Sequence, residues 1–119
     1  MRVYFLKEEI CIIEKTQITY IKYMEIISIE TDTPYIVINH DKKKKTFIRK
    51  SLVDFKVNLP IYFMSCNQSV IINLYYVSLY RLGKNATVYL INGDEFYLSR
   101  RMRNIFKDKL ITIKQYKSY

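Results

Sequence analysis

A mainly β-stranded domain with short helices is what this chain is built to form, and three features say so. Alternating and β-branched apolar runs recur along its 119 residues, only Gly83, Gly93, Pro34 and Pro60 punctuate them, and helical spacing of apolar side chains shows in two short places. Half of the residues are apolar, which excludes a mainly disordered chain. The length suits one domain over residues 1–119 with a single modest core.

Strands are expected near Val3 to Leu6, Ile10 to Ile13, Thr16 to Tyr20, Ile26 to Glu30, Tyr35 to Asn39 and Lys45 to Arg49. Asp41 and the lysines after it make a charged hairpin tip between the last two. The period then changes. Ser51 reads as an N-cap with Asp54 in the first turn, and Leu52, Phe55 and Leu59 share a helical face before Pro60 stops it. Tyr62-Phe63 reads as a short extended piece. Asn67 to Asn73 reads as a turn or single helical coil that plugs Val70, Ile71 and Ile72 into the core. Val77 to Leu82 and Ala86 to Ile91 are strand-like around Gly83-Lys84-Asn85, and Asn92-Gly93 predicts a type I′ hairpin turn that returns Phe96 to Leu98 antiparallel. Ser99 then caps a helix whose apolar stripe is Met102, Ile105, Phe106 and Leu110, with Arg100, Arg103 and Lys107 on the other side.

No apolar run approaches the roughly 18 residues that a membrane span needs, and the N-terminus turns charged too soon for a secretory signal. A cytoplasmic protein with no membrane association is the expectation. Cys11 and Cys66, far apart and beside a single His, read as buried free thiols rather than as a disulfide or zinc framework, so neither metal nor cofactor is expected. His40-Asp41 has no partner nucleophile, and an enzyme is not expected. The 12 tyrosines are scattered, which suits core and rim positions better than a base-stacking platform.

The net charge of +9 is concentrated in two blocks. Residues 40–50 carry 6 basic and 1 acidic side chains and residues 98–119 carry 7 and 1, whereas residues 1–39 carry 4 and 6 and residues 51–97 carry 3 of each. A fold that joins the two blocks would make a polyanion-facing patch. Within that frame Asn67 and Gln68 lie in an exposed connection, where locally they read either as a turn-forming Asn and a solvated Gln or as amides that pair a donor with an acceptor as adenine recognition in a major groove requires. Arg100 and Arg101 begin a helix, where the positive dipole end favours an anion, so two cations there call for a negative partner.

The run Phe63, Asn67-Gln68-Ser69, Val70-Ile71-Ile72-Asn73, Asn92-Gly93 and Ser99-Arg100-Arg101 resembles the C-terminal half of the LytTR family of β-stranded DNA-binding domains of bacterial transcription regulators. Upstream, Ile18 to Glu30 resembles the family's opening strand, turn and second strand, and Arg49-Lys50-Ser51-Leu52 the entry to its first helix, so the resemblance spans about residues 10–110. One departure is that Asn67-Gln68 stands where many members carry His followed by Arg, Lys or Asn, which leaves the base preference open.

The resemblance implies an elongated stack of short antiparallel sheets whose loops, rather than one recognition helix, enter the major groove. It implies sequence-specific binding of double-stranded DNA, with two copies on direct repeats about one helical turn apart. Gln68, Asn67, Arg101 and Tyr35, the last in the loop Thr33-Pro34-Tyr35, are then the base readers. Arg100, Ser69, Arg103, Arg49 and Lys50 are the phosphate contacts, joined by the solvated tip Lys42, Lys43, Lys44 and Lys45. Rival expectations are a protein-interaction inhibitor that pairs with another regulator and a nonspecific nucleic-acid-binding module. A sensor or receiver usually precedes such domains, so the chain is expected to be either part of a larger regulator or a stand-alone member.

Overall fold

Alternating burial marks the outer strands and continuous burial the inner ones. In the computed structural model, which describes residues 1–115, Arg2–Phe5 (β1), Glu9–Ile13 (β2) and Ile18–Lys22 (β3) form an antiparallel sheet in the order β1-β2-β3. A single 3₁₀ turn at Tyr23–Glu25 leads into Ile26–Asp32 (β4), Tyr35–His40 (β5) and Lys45–Ile48 (β6), then the short helix Leu52–Lys56 (α1), then Phe63–Asn67 (β7) and Val70–Asn73 (β8). These five strands make the central sheet, in the order β6-β5-β4-β8-β7. A second 3₁₀ turn at Leu74–Tyr76 precedes Val77–Arg81 (β9), Thr87–Leu90 (β10) and Glu95–Tyr97 (β11), which pair as β11-β10-β9, and the helix Arg100–Lys114 (α2) follows. The charge block over residues 98–119 runs past the described residues, and its Lys117 lies outside them.

The central sheet is the middle layer of an elongated molecule of 51 × 29 × 25 Å. On one side Ile10, Ile12 and Ile21 of the first sheet meet Ile29, Ile36, Ile38 and Ile71, sealed by Leu52 and Phe55 of α1. On the other side Ile27, Met64, Cys66 and Ile72 meet Val88 and Leu90 of the third sheet and Phe106 and Leu110 of α2. The expected elongated stack of antiparallel sheets is thus the observed architecture.

Several local expectations need correction. Residues 67–73 are the end of β7, a two-residue turn and the inner strand β8, which pairs Glu30 with Val70 and Ser28 with Ile72. Ile71 faces one core and Ile72 the other. A strand buried on both faces shows no alternation, and periodicity alone does not separate it from a helical segment. Of the expected extended piece Tyr62-Phe63, Phe63 opens the five-residue β7 and Tyr62 lies in the turn before it. β3 begins at Ile18, two residues later than expected, because Glu14 and Gln17 close the preceding turn through a 2.9 Å backbone bond.

The hairpin at Asn92-Gly93 forms, but Asn92 keeps a negative φ and only Gly93 is positive, at 91°. Gly93 N–H donates to the Leu90 carbonyl and Leu90 N–H to the Asp94 carbonyl, which makes a three-residue loop closed by the glycine rather than a type I′ turn. The Asn92 side chain accepts from Asp94 N–H at 3.0 Å and takes the local role that a positive φ would otherwise supply. Ser99 precedes α2 without a side-chain capping bond. Ile105 is half exposed although the apolar stripe included it, and Arg103 sits against the sheet rather than opposite the stripe, since three residues before Phe106 is the same helical flank.

Candidate nucleic-acid interface

Hairpin register determines which loops share an end of the central sheet. Glu30 pairs with Val70 and Asp32 with Tyr35, so the β4–β5 turn and the β7–β8 turn emerge together, joined by Thr31 N–H donating to the Ser69 carbonyl at 2.9 Å. Ile48 pairs with Ile36, so Arg49 and Lys50 leave β6 at this same end. Ser99 N–H donates to the Cys66 carbonyl at 2.9 Å and brings the start of α2 alongside.

Two clefts connect these pieces into a row. Thr33, Pro34, Arg49, Lys50 and Ser51 line the first. Leu52 borders both, and the second, of about 430 Å³, is lined by Val53, Lys56, Asn67, Gln68, Ser99 and Arg101 over a floor that includes Met102. Gln68 and Arg101, which are distant in sequence, therefore line one cleft, and both are exposed. Lys56 in this cleft and Arg49 and Lys50 in the first are exposed, as is Arg100, which precedes Arg101 in the chain and lines neither. Tyr35 opens β5 at 42% exposure, next to the first cleft but not among the residues lining it.

Not every predicted site residue joins the row. Asn39 pairs with Lys45, so Lys42 to Lys45 occupy the tip at the other end of the β5–β6 hairpin, with Lys43 in the left-handed region at φ 61°. There Lys42, Lys44 and Lys45 border a depression with Glu25 and Asp41. The first basic block is thus split between two ends of the sheet. Arg103 donates from Nε to the Leu98 carbonyl and from Nη2 to Tyr97 Oη, both at 3.2 Å, and its guanidinium lies over the Tyr97 ring, 5.7 Å from the centroid. Asn67 donates from Nδ2 to the Tyr97 carbonyl and accepts at Oδ1 from Ser69 N–H, both at 2.8 Å.

Further along α2 the cations serve the sheet instead of the surface. Lys109 Nζ donates to the Phe63 carbonyl and Lys114 Nζ to the Val77 carbonyl, and burial lowers the pKa of both amines. Burial likewise lowers the His40 pKa, partly countered by Glu25 and Asp41, while its Nε2 contacts Thr46 Oγ1 at 2.8 Å. Burial pushes the Cys66 thiol up to about 12. Lys56 and Val53 were missed in the sequence. Their three-residue spacing places them together on the face of α1 turned away from Leu52 and Phe55, a signal too short to read in a five-residue helix.

Among the described residues no helix is long and apolar enough to cross a membrane, and no group of three or more His, Cys, Asp or Glu side chains is placed to hold a metal ion. Residues 16–111 match the family model of the LytTr DNA-binding domain. A solved structure from Bacillus cereus, described as the LytTr DNA-binding domain of a methyl-accepting/DNA response regulator, has the same fold: the TM-score is 0.73 at 17% sequence identity, covering 87% of this chain and 97% of that one. No curated protein matches the chain in sequence.

Proposed function

This chain belongs to the LytTR family of DNA-binding domains, and from that premise we propose that it reads short duplex half-sites through the row of loops at one end of its central sheet. Membership brings DNA binding and transcription regulation. The finer reading rests on one observation: Gln68 and Arg101 face the same cleft, beside the Thr33-Pro34-Tyr35 turn. An amide matches the adenine major-groove edge and a guanidinium the guanine edge, so the pair presents two base-reading chemistries from one rigid platform. Tyr35 adds a hydroxyl or an apolar edge against a thymine methyl.

Arg49, Lys50, Lys56 and Arg100, with Ser69 in the turn, supply the phosphate contacts that position those readers. The lysine tip and the internally bonded Arg103 stand apart from this set. Two copies would occupy direct repeats about one helical turn apart, each reading one half-site. As a transcription regulator it would work in the cytoplasm.

The test is selection of preferred duplexes followed by titration of variants. Gln68→Ala and Arg101→Ala should each cost about 1 to 3 kcal/mol on the selected site and change random-duplex binding much less. Binding with no sequence preference would favour a nonspecific polyanion binder. No binding to duplex, together with capture of another regulator, would favour the protein-interaction reading.

A further inference from the structure

We infer that Asn67 is a positioning residue that ties the two reading loops together, rather than a reader itself. The inference rests on the assignment of Gln68 and Arg101 as base readers. A bidentate reader presents its carbonyl oxygen and an amino hydrogen along one outward edge. Here the Asn67 oxygen turns back to Ser69 N–H and the nitrogen reaches across to the Tyr97 carbonyl, both at 2.8 Å. Swinging the amide toward a base would give up both bonds.

The first bond shapes the turn. β7 carries a register shift between Ser65 and Asn67, so Asn67 pairs with Val70 and leaves Gln68-Ser69 as a two-residue loop. Neither loop residue has a positive φ, so the loop is not the I′ or II′ turn usual at this length, and the Asn67 side chain closes it in the manner of an Asx turn. The second bond, with Ser99 N–H on the Cys66 carbonyl, makes a two-point tie between the end of β7 and the junction of β11 with α2. Arg103 braces the same junction through the Leu98 carbonyl and the Tyr97 hydroxyl and ring. Gln68 follows Asn67 directly and Arg101 lies two residues past Ser99. The tie therefore holds the two readers at one separation, and with it the spacing of the base pairs they read.

Sequence selection with Asn67→Ala, in the full chain, tests this. Affinity for the selected duplex should fall about 5- to 10-fold, the effect of losing a useful hydrogen bond, with random-duplex binding nearly unchanged. Preference at the Gln68-dependent and Arg101-dependent positions should relax together. Duplexes with one base pair inserted or removed between those positions should bind the variant nearly as well as the original, while the wild type rejects them. If Asn67→Ala melts early, Asn67→Ser keeps an acceptor for Ser69 N–H, loses the reach to Tyr97, and should show the same relaxed spacing.

Loss of preference at a third, separate base pair, with spacing still enforced, would make Asn67 a reader and overturn the inference. Unchanged preference and spacing in a folded variant would overturn it as well. Those results leave the cleft reading intact if Gln68→Ala and Arg101→Ala each relax one position. If neither does, the cleft reading fails and the inference falls with it.

Discussion

Replacing Arg49 and Lys50 together with Ala should flatten the salt dependence of duplex binding, and replacing Lys42 and Lys43 should not. Four exposed cations are the proposed phosphate contacts: Arg49 and Lys50 at the first cleft, Lys56 at the second, and Arg100 next to Arg101 in the chain. At about 0.9 per neutralised phosphate, the slope of log K against log salt should be about −3.6 for the wild type and about −1.8 for the Arg49/Lys50 variant. Between 50 and 200 mM salt that difference amounts to about a tenfold smaller loss of affinity.

Lys42 and Lys43 sit past His40, five strand steps from Tyr35, roughly 17 Å at the rise of an extended strand. That exceeds the screening length of about 10 Å at 0.1 M salt, so their variant should shift the slope by less than about 0.5. Fluorescence anisotropy of a labelled, selected duplex over a salt series measures both variants, with melting curves to confirm folding. A flattening of about 2 for the lysine pair, and none for Arg49/Lys50, would refute the reasoning and move the polyanion face to the opposite end of the sheet.

Phe106 is fully buried and its ring lies 4.8 Å from that of Tyr80, so Phe106→Ala should cost about 3 to 5 kcal/mol in denaturant unfolding. Arg103→Ala should cost about 1 to 2 kcal/mol, more than the roughly 0.5 of an ordinary surface site, because it strands the contacts to Leu98 and Tyr97. Equal denaturant midpoints for the two variants would contradict the placement of α2. Burial lowers the His40 pKa, so the unfolded chain binds more protons there as pH falls. Its contribution is present above about pH 6.5 and declines below that value until the folded pKa is passed. Melting temperatures at pH 7.5 and 5.5 should differ more for the wild type than for His40→Asn, and an equal difference would remove His40 as the cause. Cys11 and Cys66 are buried and free, and the Cys66 thiol is pushed up to about 12, so a thiol reagent at pH 8 should label neither until denaturant is added. Rapid labelling of the native protein would contradict the packing around them.

Period, capping and turn chemistry are local, and they identified most of the fold from residues alone. The alternating strands, Ser51 as a cap that accepts from Asp54 N–H, and the Phe106 and Leu110 stripe are readable because each is set by neighbours within a turn or a pleat. The order of short motifs also singled out Gln68 and Arg101, which the structure brings to one cleft, since chemistry at a loop or helix start is written in single residues. Three things required the tertiary structure. Burial of β8 on both faces erased the alternation that would have marked Val70 to Asn73 as a strand. Strand register decided that Arg49 and Lys50 share an end with Gln68 while Lys42 to Lys45 take the other, although the two sets are neighbours in the chain. The demands of the backbone at the joint between sheets turned Asn67 and Arg103 inward, and amide and guanidinium groups that could have faced a partner instead satisfy the Tyr97 and Leu98 carbonyls. Side-chain type states what a residue is able to bind, whereas pairing across long sequence separations determines which of those bonds it makes.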